Sequence, residues 1–191
     1  MPTTAMTRRV VSIVLWVTLL SADVFAQDAS RHFKSTADCG YEFDYPAGWS
    51  AEALPADKYT SCAAQIRPVD FKKRMAKNDV DIYTLTVSVP GGGTFLTVAS
   101  RAGFDFWGGK WVTRGRLGHR GSASIFQTAQ WSGVRGKADV GCHHEHGGYA
   151  GLCEFERVVL QNSDEDRWVM EGGPQTGQVF ERVLATFRFT R

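Results

Sequence analysis

The first 26 residues constrain this chain most, because they predict the compartment in which the rest folds. Arg8 and Arg9 precede an apolar run over residues 10–20, and Val24 and Ala26 are small side chains where signal peptidase cuts. That run is shorter than the roughly 20 apolar residues that cross a bilayer, which favours a cleaved signal peptide over a permanent anchor. We predict a periplasmic or secreted protein. The arginine pair leaves the general secretory and twin-arginine routes both open.

Residues 27–191 have the length of one domain, and we predict a single globular domain over that range. The chain is 43% hydrophobic and 12% aromatic, which is typical of a folded rather than a disordered protein. Its net charge of +2 gives no basis for nucleic-acid binding, which needs clustered cations. No later apolar segment is long enough to span a bilayer, so no integral membrane segment is expected after cleavage.

All four cysteines, Cys39, Cys62, Cys142 and Cys153, follow the predicted cut site. Thiols pair in an oxidising compartment, so two disulfides are expected. Four cysteines allow three pairings, and the sequence alone does not choose among them. We favour Cys39 with Cys62 and Cys142 with Cys153, because each pair brackets a segment typical of a turn between strands. A redox-active or metal-binding thiol site is disfavoured, since no Cys-x-x-Cys spacing is present.

Hydrophobic periodicity indicates a strand-rich chain with a middle helix and a terminal helix. Alternation with a period of two, or short apolar runs, predict strands over 41–45, 63–67, 83–89, 123–141, 150–160 and 167–171. Helical spacing predicts helices over 69–77, 94–106 and 179–187. This order predicts an α+β fold in which helices pack on an antiparallel sheet.

Two stretches resemble PsbP-like domains. The run YEFDYPAGW at residues 41–49 is similar to the opening strand and turn of that family, and residues 183–189 are similar to its closing helix and aromatic finish. The resemblance implies an α-β-α sandwich around an antiparallel sheet and an accessory rather than an enzymatic role. Photosystem binding is not carried over, because this chain adds two expected disulfides and a histidine-rich loop.

The histidine-rich loop follows Cys142 and holds His143, His144 and His146 around Glu145. In an extended segment, His144 and His146 point to one side about 6.6 Å apart, a spacing at which both can bind Zn²⁺ or Cu²⁺. A third ligand would come from elsewhere, such as His119 or His32. The alternative is a solvated hairpin tip whose imidazoles titrate near pH 6.5. No cofactor other than such a metal is expected.

An aromatic run occupies the middle of the chain, with Phe104, Phe106, Trp107 and Trp111 in eight positions. Phe104, Trp107 and Trp111 are the candidate ligand or partner surface. Packing of these rings in the core is the competing interpretation and the one that composition favours. The surface hypothesis predicts that Trp107 and Trp111 are exposed, and it fails if both are fully buried in the core.

Nucleophile patterns are weak. Ser122 lacks the second glycine and the strand-to-helix elbow of a hydrolase nucleophile. Cys153 beside His143 or His144 would resemble a thiol protease dyad only if Cys153 were free. A hydrolase is therefore the least favoured function.

Acidic and glycine-rich segments also have simpler explanations. Glu154, Glu156 and residues 164–166 are typical of solvated strand and turn positions rather than an acid/base pair. Residues 90–94 could cradle an anion before a helix, but they lack the Gly-Lys-Ser/Thr ending of a P-loop. The sequence predicts an exported, non-catalytic binding or envelope-accessory domain, with a periplasmic metal-binding protein as the alternative.

Overall fold

A computed structural model describes residues 29–56, 60–115, 118, 120–144 and 147–190. The predicted signal peptide lies outside the described residues. The helices within these ranges are α1 (Phe71–Asn78), α2 (Phe95–Arg101) and α3 (Gly177–Thr186). The strands are β1 (Ser30–Lys34), β2 (Tyr41–Pro46), β3 (Trp49–Leu54), β4 (Thr60–Pro68), β5 (Leu85–Pro90), β6 (Phe104–Trp107), β7 (Lys110–Arg114), β8 (Arg120–Gln127), β9 (Ser132–His143), β10 (Tyr149–Gln161), β11 (Arg167–Gly172) and β12 (Arg188–Phe189).

The strands form two antiparallel sheets. A three-stranded sheet has the order β1-β2-β12, and a nine-stranded sheet has the order β3-β4-β5-β11-β10-β9-β8-β7-β6. The long hairpin of β9 and β10 lies in the larger sheet and pairs over most of its length, with Val159 opposite Val134. Strand β6 lies at one edge of this sheet and β3 at the other.

Alternate residues of the central strands contribute to two different hydrophobic clusters. Val158 and Leu160 of β10 join the cluster that includes α3, whereas Val159 between them joins the cluster that includes α2. Because successive side chains in a strand point to opposite faces, α2 and α3 pack on opposite faces of the larger sheet. The predicted α+β class, with helices packed on an antiparallel sheet, is confirmed.

Strand β2 follows the predicted alternation. Tyr41 and Phe43 are 1% and 0% exposed and belong to the α3 cluster, while Glu42 and Asp44 between them are partly exposed. Burial raises the pKa of Tyr41 to about 12, because a phenolate is disfavoured in apolar surroundings. The Tyr41 ring stacks on Phe187 at 5.4 Å, so β2 and the end of α3 share one core.

The aromatic core, defined as Trp131, Trp168 and Phe187, fills the centre of this cluster. The Trp168 and Phe187 rings are stacked at 3.9 Å, and Trp131 meets both rings edge-on within 5.9 Å. All three side chains are buried. Their combined area makes this cluster the main apolar contribution to stability in the described fold.

Both disulfides have the pairing that the sequence favours. Cys39 pairs with Cys62 across a Cα–Cα distance of 5.4 Å, and Cys142 pairs with Cys153 at 5.7 Å. The first pair connects the segment before β2 to β4, so it ties the smaller sheet to the larger one. The second pair links β9 to β10 near their hairpin loop.

Two predicted elements are wrong in their bounds. The helix predicted over 94–106 ends at Arg101, and Gly103 then adopts a φ of +85° that begins a new strand, β6. The single strand predicted over 123–141 is two strands, because residues 128–131 turn the chain between β8 and β9. In that turn the Trp131 N–H donates to the Thr128 hydroxyl at 3.0 Å, a local bond that apolar periodicity does not reveal.

No helix in the described part of the chain is long and apolar enough to cross a membrane.

Candidate functional site

Strands β6 and β7 form a tight hairpin at the edge of the larger sheet; residues 104–114 are called the aromatic hairpin below. Its turn consists of Gly108 and Gly109, with φ values of +58° and +79°. Both values lie in the left-handed region, and two such residues in succession make the type I′ turn that suits a two-residue hairpin. The turn brings Trp107 opposite Lys110 and Phe106 opposite Trp111.

The two faces of the aromatic hairpin each carry aromatic rings. On one face, Phe106 meets Trp111 edge-on at 5.6 Å, and Trp111 meets Phe95 of α2 at 6.0 Å. Side chains alternate along a strand, so Trp107 lies on the other face. There the Arg120 guanidinium stacks over the Trp107 ring at 4.1 Å, a cation–π contact.

Exposure separates the predicted surface residues. Trp107 is 59% exposed, Trp111 is partly buried, and Phe106 is 61% exposed. Phe104 is 1% exposed, so its assignment to a surface is wrong. It belongs to the cluster of α2, which covers the start of β6 but leaves the tip uncovered.

The tip is a continuous exposed segment, because residues 106–110 are all exposed. Large aromatic side chains normally bury 150–250 Å² each, so two adjacent exposed rings at a sheet edge require an explanation other than the internal core. The predicted helix over 94–106 included Phe106, so helical spacing concealed the start of this hairpin. The Gly108-Gly109 pair between aromatic residues is the signal that could have revealed it.

The charges around the tip are mainly positive. Asp105 pairs with Arg114 at 3.4 Å, which neutralises both. Lys110 is exposed opposite Trp107, and Arg120 lies over that ring. The tip therefore combines exposed aromatic rings with two cations, Lys110 and Arg120, that form no ion pair within the described part of the chain.

The histidine-rich hairpin lies between β9 and β10. His144 Nδ1 contacts the Asp79 carboxylate at 2.9 Å and the Asp79 carbonyl at 3.1 Å. The backbone N–H of His144 donates to the backbone carbonyl of Gly148 at 2.8 Å. These contacts use Nδ1 and leave Nε2 on the other side of the ring. His146 lies outside the described residues. Within those residues, no group of three His, Cys, Asp or Glu side chains is placed to hold a metal ion.

The suggested third ligands are not joined to this loop by any described contact. His119 lies outside the described residues. His32, on β1, contacts Asp44 at 2.8 Å through Nδ1 and Glu42 at 3.3 Å through Nε2. The hydrogen bond with Asp44 is the main cause that raises the pKa of His32. Both ring nitrogens of His32 are thus engaged with carboxylates of β2.

Several weak catalytic candidates have structural roles. Cys153 is in a disulfide, so the thiol dyad is wrong. Glu154 pairs with Lys137 at 2.8 Å and Glu156 with Arg135 at 2.6 Å, so each carboxylate neutralises a neighbouring strand's cation.

The polar turns are likewise held by their own side chains. The Asn162 side-chain oxygen accepts hydrogen bonds from the N–H groups of Asp164 and Asp166, which fixes the turn between β10 and β11. Thr94 accepts from the Thr97 N–H and caps α2, so residues 90–94 are a strand-to-helix turn.

A shallow depression of about 600 Å³ lies where the β8–β9 and β10–β11 turns meet. Gln130, Trp131, Asn162 and Arg188 are among the residues that line it. Arg188 donates to Glu42 at 2.6 Å and Asn162 holds its own turn, so the polar groups are largely used within the fold.

No protein-family model matches the chain, and no curated protein matches it. Among solved structures, the chain is similar to the solution structure of cyanobacterial PsbP (CyanoP) from Synechocystis sp. PCC 6803, with 15% sequence identity and a TM-score of 0.42. The match covers 90% of this chain and 98% of that chain. That structure is of a PsbP protein, the family whose opening strand and turn residues 41–49 resemble.

Proposed function

We propose that this protein is an exported, non-catalytic binding or envelope-accessory domain that docks its partner through the aromatic hairpin. The observation that carries the proposal is the uncovered tip, in which Phe106 and Trp107 are 61% and 59% exposed beside Lys110 and Arg120. Burying these rings against a partner would remove apolar surface from water, which is the dominant favourable term in most associations.

The compartment and the fold of the domain are also part of what we propose. Residues 1–26 act as a signal peptide, residues 27–191 form the single domain, and the domain operates in the periplasm or outside the cell. The helices on the two faces of the larger sheet support an arrangement of the α-β-α sandwich type. The two disulfides favour an oxidising compartment.

The test measures binding of the purified exported protein to a cell-envelope fraction by co-sedimentation. Mass spectrometry of the same preparation establishes its N-terminus and the two disulfides. We expect the double variant Phe106→Ser with Trp107→Ser to lose envelope binding. Ile125→Ser is the matched control, because Ile125 is an exposed apolar side chain of β8, 73% exposed. Equal binding by the double variant and the unmodified protein would refute the proposal.

A second candidate function is metal binding by the histidine-rich hairpin, with His144 and His146 as ligands of Zn²⁺ or Cu²⁺. The Asp79 carboxylate holds His144 through Nδ1, and a carboxylate in that position orients a metal-binding imidazole and presents Nε2. Isothermal titration with Zn²⁺ tests it. Uptake should disappear in the double variant His144→Ala with His146→Ala and persist in His32→Gln. Equimolar uptake by the double variant would exclude this site.

A further inference from the structure

Building on the proposed docking role of the aromatic hairpin, we infer that its partner is the surface of an anionic phospholipid bilayer, into which the tip inserts. A bilayer is favoured by the placement of rings, cations and glycines in residues 106–110 and by Arg120.

The placement of the two exposed rings distinguishes a bilayer from a flat protein surface. Phe106 and Trp107 are adjacent in β6 and therefore lie on opposite faces of a two-stranded tip. A flat partner covers one face and leaves the other ring in water. A lipid interface surrounds the tip and covers both rings together, and aromatic side chains favour that interface because they combine an apolar body with a polarisable face.

The turn itself is suited to insertion. Gly108 and Gly109 have no side chains, and a Cβ built on either glycine would meet no atom within 4 Å, so the tip is slim and open. The backbone of these residues is in the type I′ geometry, whose twist matches that of the two flanking strands. The hairpin therefore presents its rings without a polar side chain in the turn.

The charges favour an anionic lipid. Lys110 lies opposite Trp107 in the hairpin register, and the Arg120 guanidinium stacks on the Trp107 ring. Arg120 is thus held against the inserting ring, and Lys110 is exposed at the register position opposite it, so both cations can reach the phosphate groups that flank the acyl chains. Asp105 is neutralised by Arg114 and does not oppose this attraction. Anionic headgroups attract such cations over about one Debye length, roughly 8 Å at physiological salt.

The experiment uses protein purified from the exported fraction and vesicles of phosphatidylglycerol with phosphatidylethanolamine, compared with pure phosphatidylcholine. We expect co-flotation with the anionic vesicles and at least about tenfold weaker association for Phe106→Ser with Trp107→Ser. The variant Lys110→Glu with Arg120→Glu should bind anionic vesicles no better than phosphatidylcholine. Ile125→Ser should bind like the unmodified protein, and circular dichroism should show that all variants are folded.

Insertion of the tip among the acyl chains is measured separately, by the quenching of tryptophan fluorescence. Vesicles with brominated acyl chains should quench part of the tryptophan fluorescence, and Trp107→Phe should remove most of that quenching while it retains binding. No binding to anionic vesicles, equal binding by the double serine variant, or unchanged quenching in Trp107→Phe would each overturn the inference. Envelope binding that needs Phe106 and Trp107 but is lost after protease treatment of the envelope would assign a protein partner, so the docking proposal would stand while the lipid inference failed.

Discussion

The aromatic core and the aromatic hairpin are built from the same residue types and have opposite exposures. Trp168 and Phe187 are 0% and 2% exposed and stack at 3.9 Å, whereas Trp107 and Phe106 are more than half exposed. The difference arises from position in the sheet. Trp168 lies on β11, a central strand beneath α3, while Trp107 lies on β6, the outermost strand, beyond the cover of α2.

Residue type alone therefore does not assign an aromatic side chain to core or surface. What decides is whether another element covers the ring: on the edge strand β6 itself, Phe104 lies in the cluster of α2 and is buried, whereas Trp107 lies beyond that helix and is exposed. The same distinction separates a contribution to stability from a contribution to docking, so substitutions in the two regions should have different consequences.

The largest expected effect is the loss of a ring from the aromatic core. Phe187→Ala removes the stacking partner of Trp168 and leaves a cavity, so we expect the free energy of unfolding to fall by about 3–5 kcal/mol. Urea denaturation followed by circular dichroism measures it. A loss below about 1 kcal/mol would mean that this cluster is not the main core.

The next largest effect concerns the covalent tie beside the aromatic core. Replacing Cys39 and Cys62 together by serine opens a link between residues 23 apart, and we expect a loss of about 2–4 kcal/mol. Replacing Cys142 and Cys153 opens a shorter link of 11 residues and should cost slightly less. Thermal unfolding of the two double variants measures which one loses more stability. A larger loss for the Cys142 and Cys153 double variant would contradict the chain-entropy explanation.

The aromatic hairpin should show the opposite behaviour to the core. Because Phe106 and Trp107 are exposed, their joint replacement by serine should change the free energy of unfolding by less than about 1 kcal/mol. The same urea denaturation measures it. A loss comparable to that of Phe187→Ala would show that these rings stabilise the fold and would remove the contrast between the two regions.

The smallest expected effect is that of removing the surface ion pair between His32 and Asp44. The pKa of His32 is raised mainly by its hydrogen bond with Asp44. The contribution of protonated His32 to the free energy of unfolding is therefore fully present below its unfolded pKa of 6.5, and it is lost as the pH rises through the folded pKa. His32→Gln should therefore lower stability at about pH 5.5, by no more than about 0.5 kcal/mol for an exposed pair, and have no effect at about pH 8.5. A pH-independent difference between the two proteins in thermal unfolding would contradict this sign.

Sequence patterns predicted the fold where local pattern and tertiary position agree. This holds for strand β2, for the terminal helix α3 and for the cysteine pairing, because in each of them the spacing of the apolar residues or cysteines along the chain matches their placement in the structure. For the aromatic run, packing in the core was the favoured interpretation and a surface the alternative, and the exposure of Phe106 and Trp107 contradicts the favoured interpretation for these two rings. Helical spacing of Phe95, Val98 and Ala102 extended into Phe106, whereas in the structure Gly103 separates α2 from β6 and Gly108-Gly109 turns β6 into β7. Edge position depends on long-range pairing, which periodicity does not encode.

Hydroxyl-radical footprinting read by mass spectrometry, on free protein and on protein mixed with the envelope fraction, tests the central claim most directly. Phe106 and Trp107 should be oxidised rapidly in the free protein and protected by the envelope, while Trp168 and Phe187 should be oxidised slowly in both samples. Equal oxidation of Phe106 and Trp107 with and without the envelope would contradict the assignment of the aromatic hairpin as the docking surface.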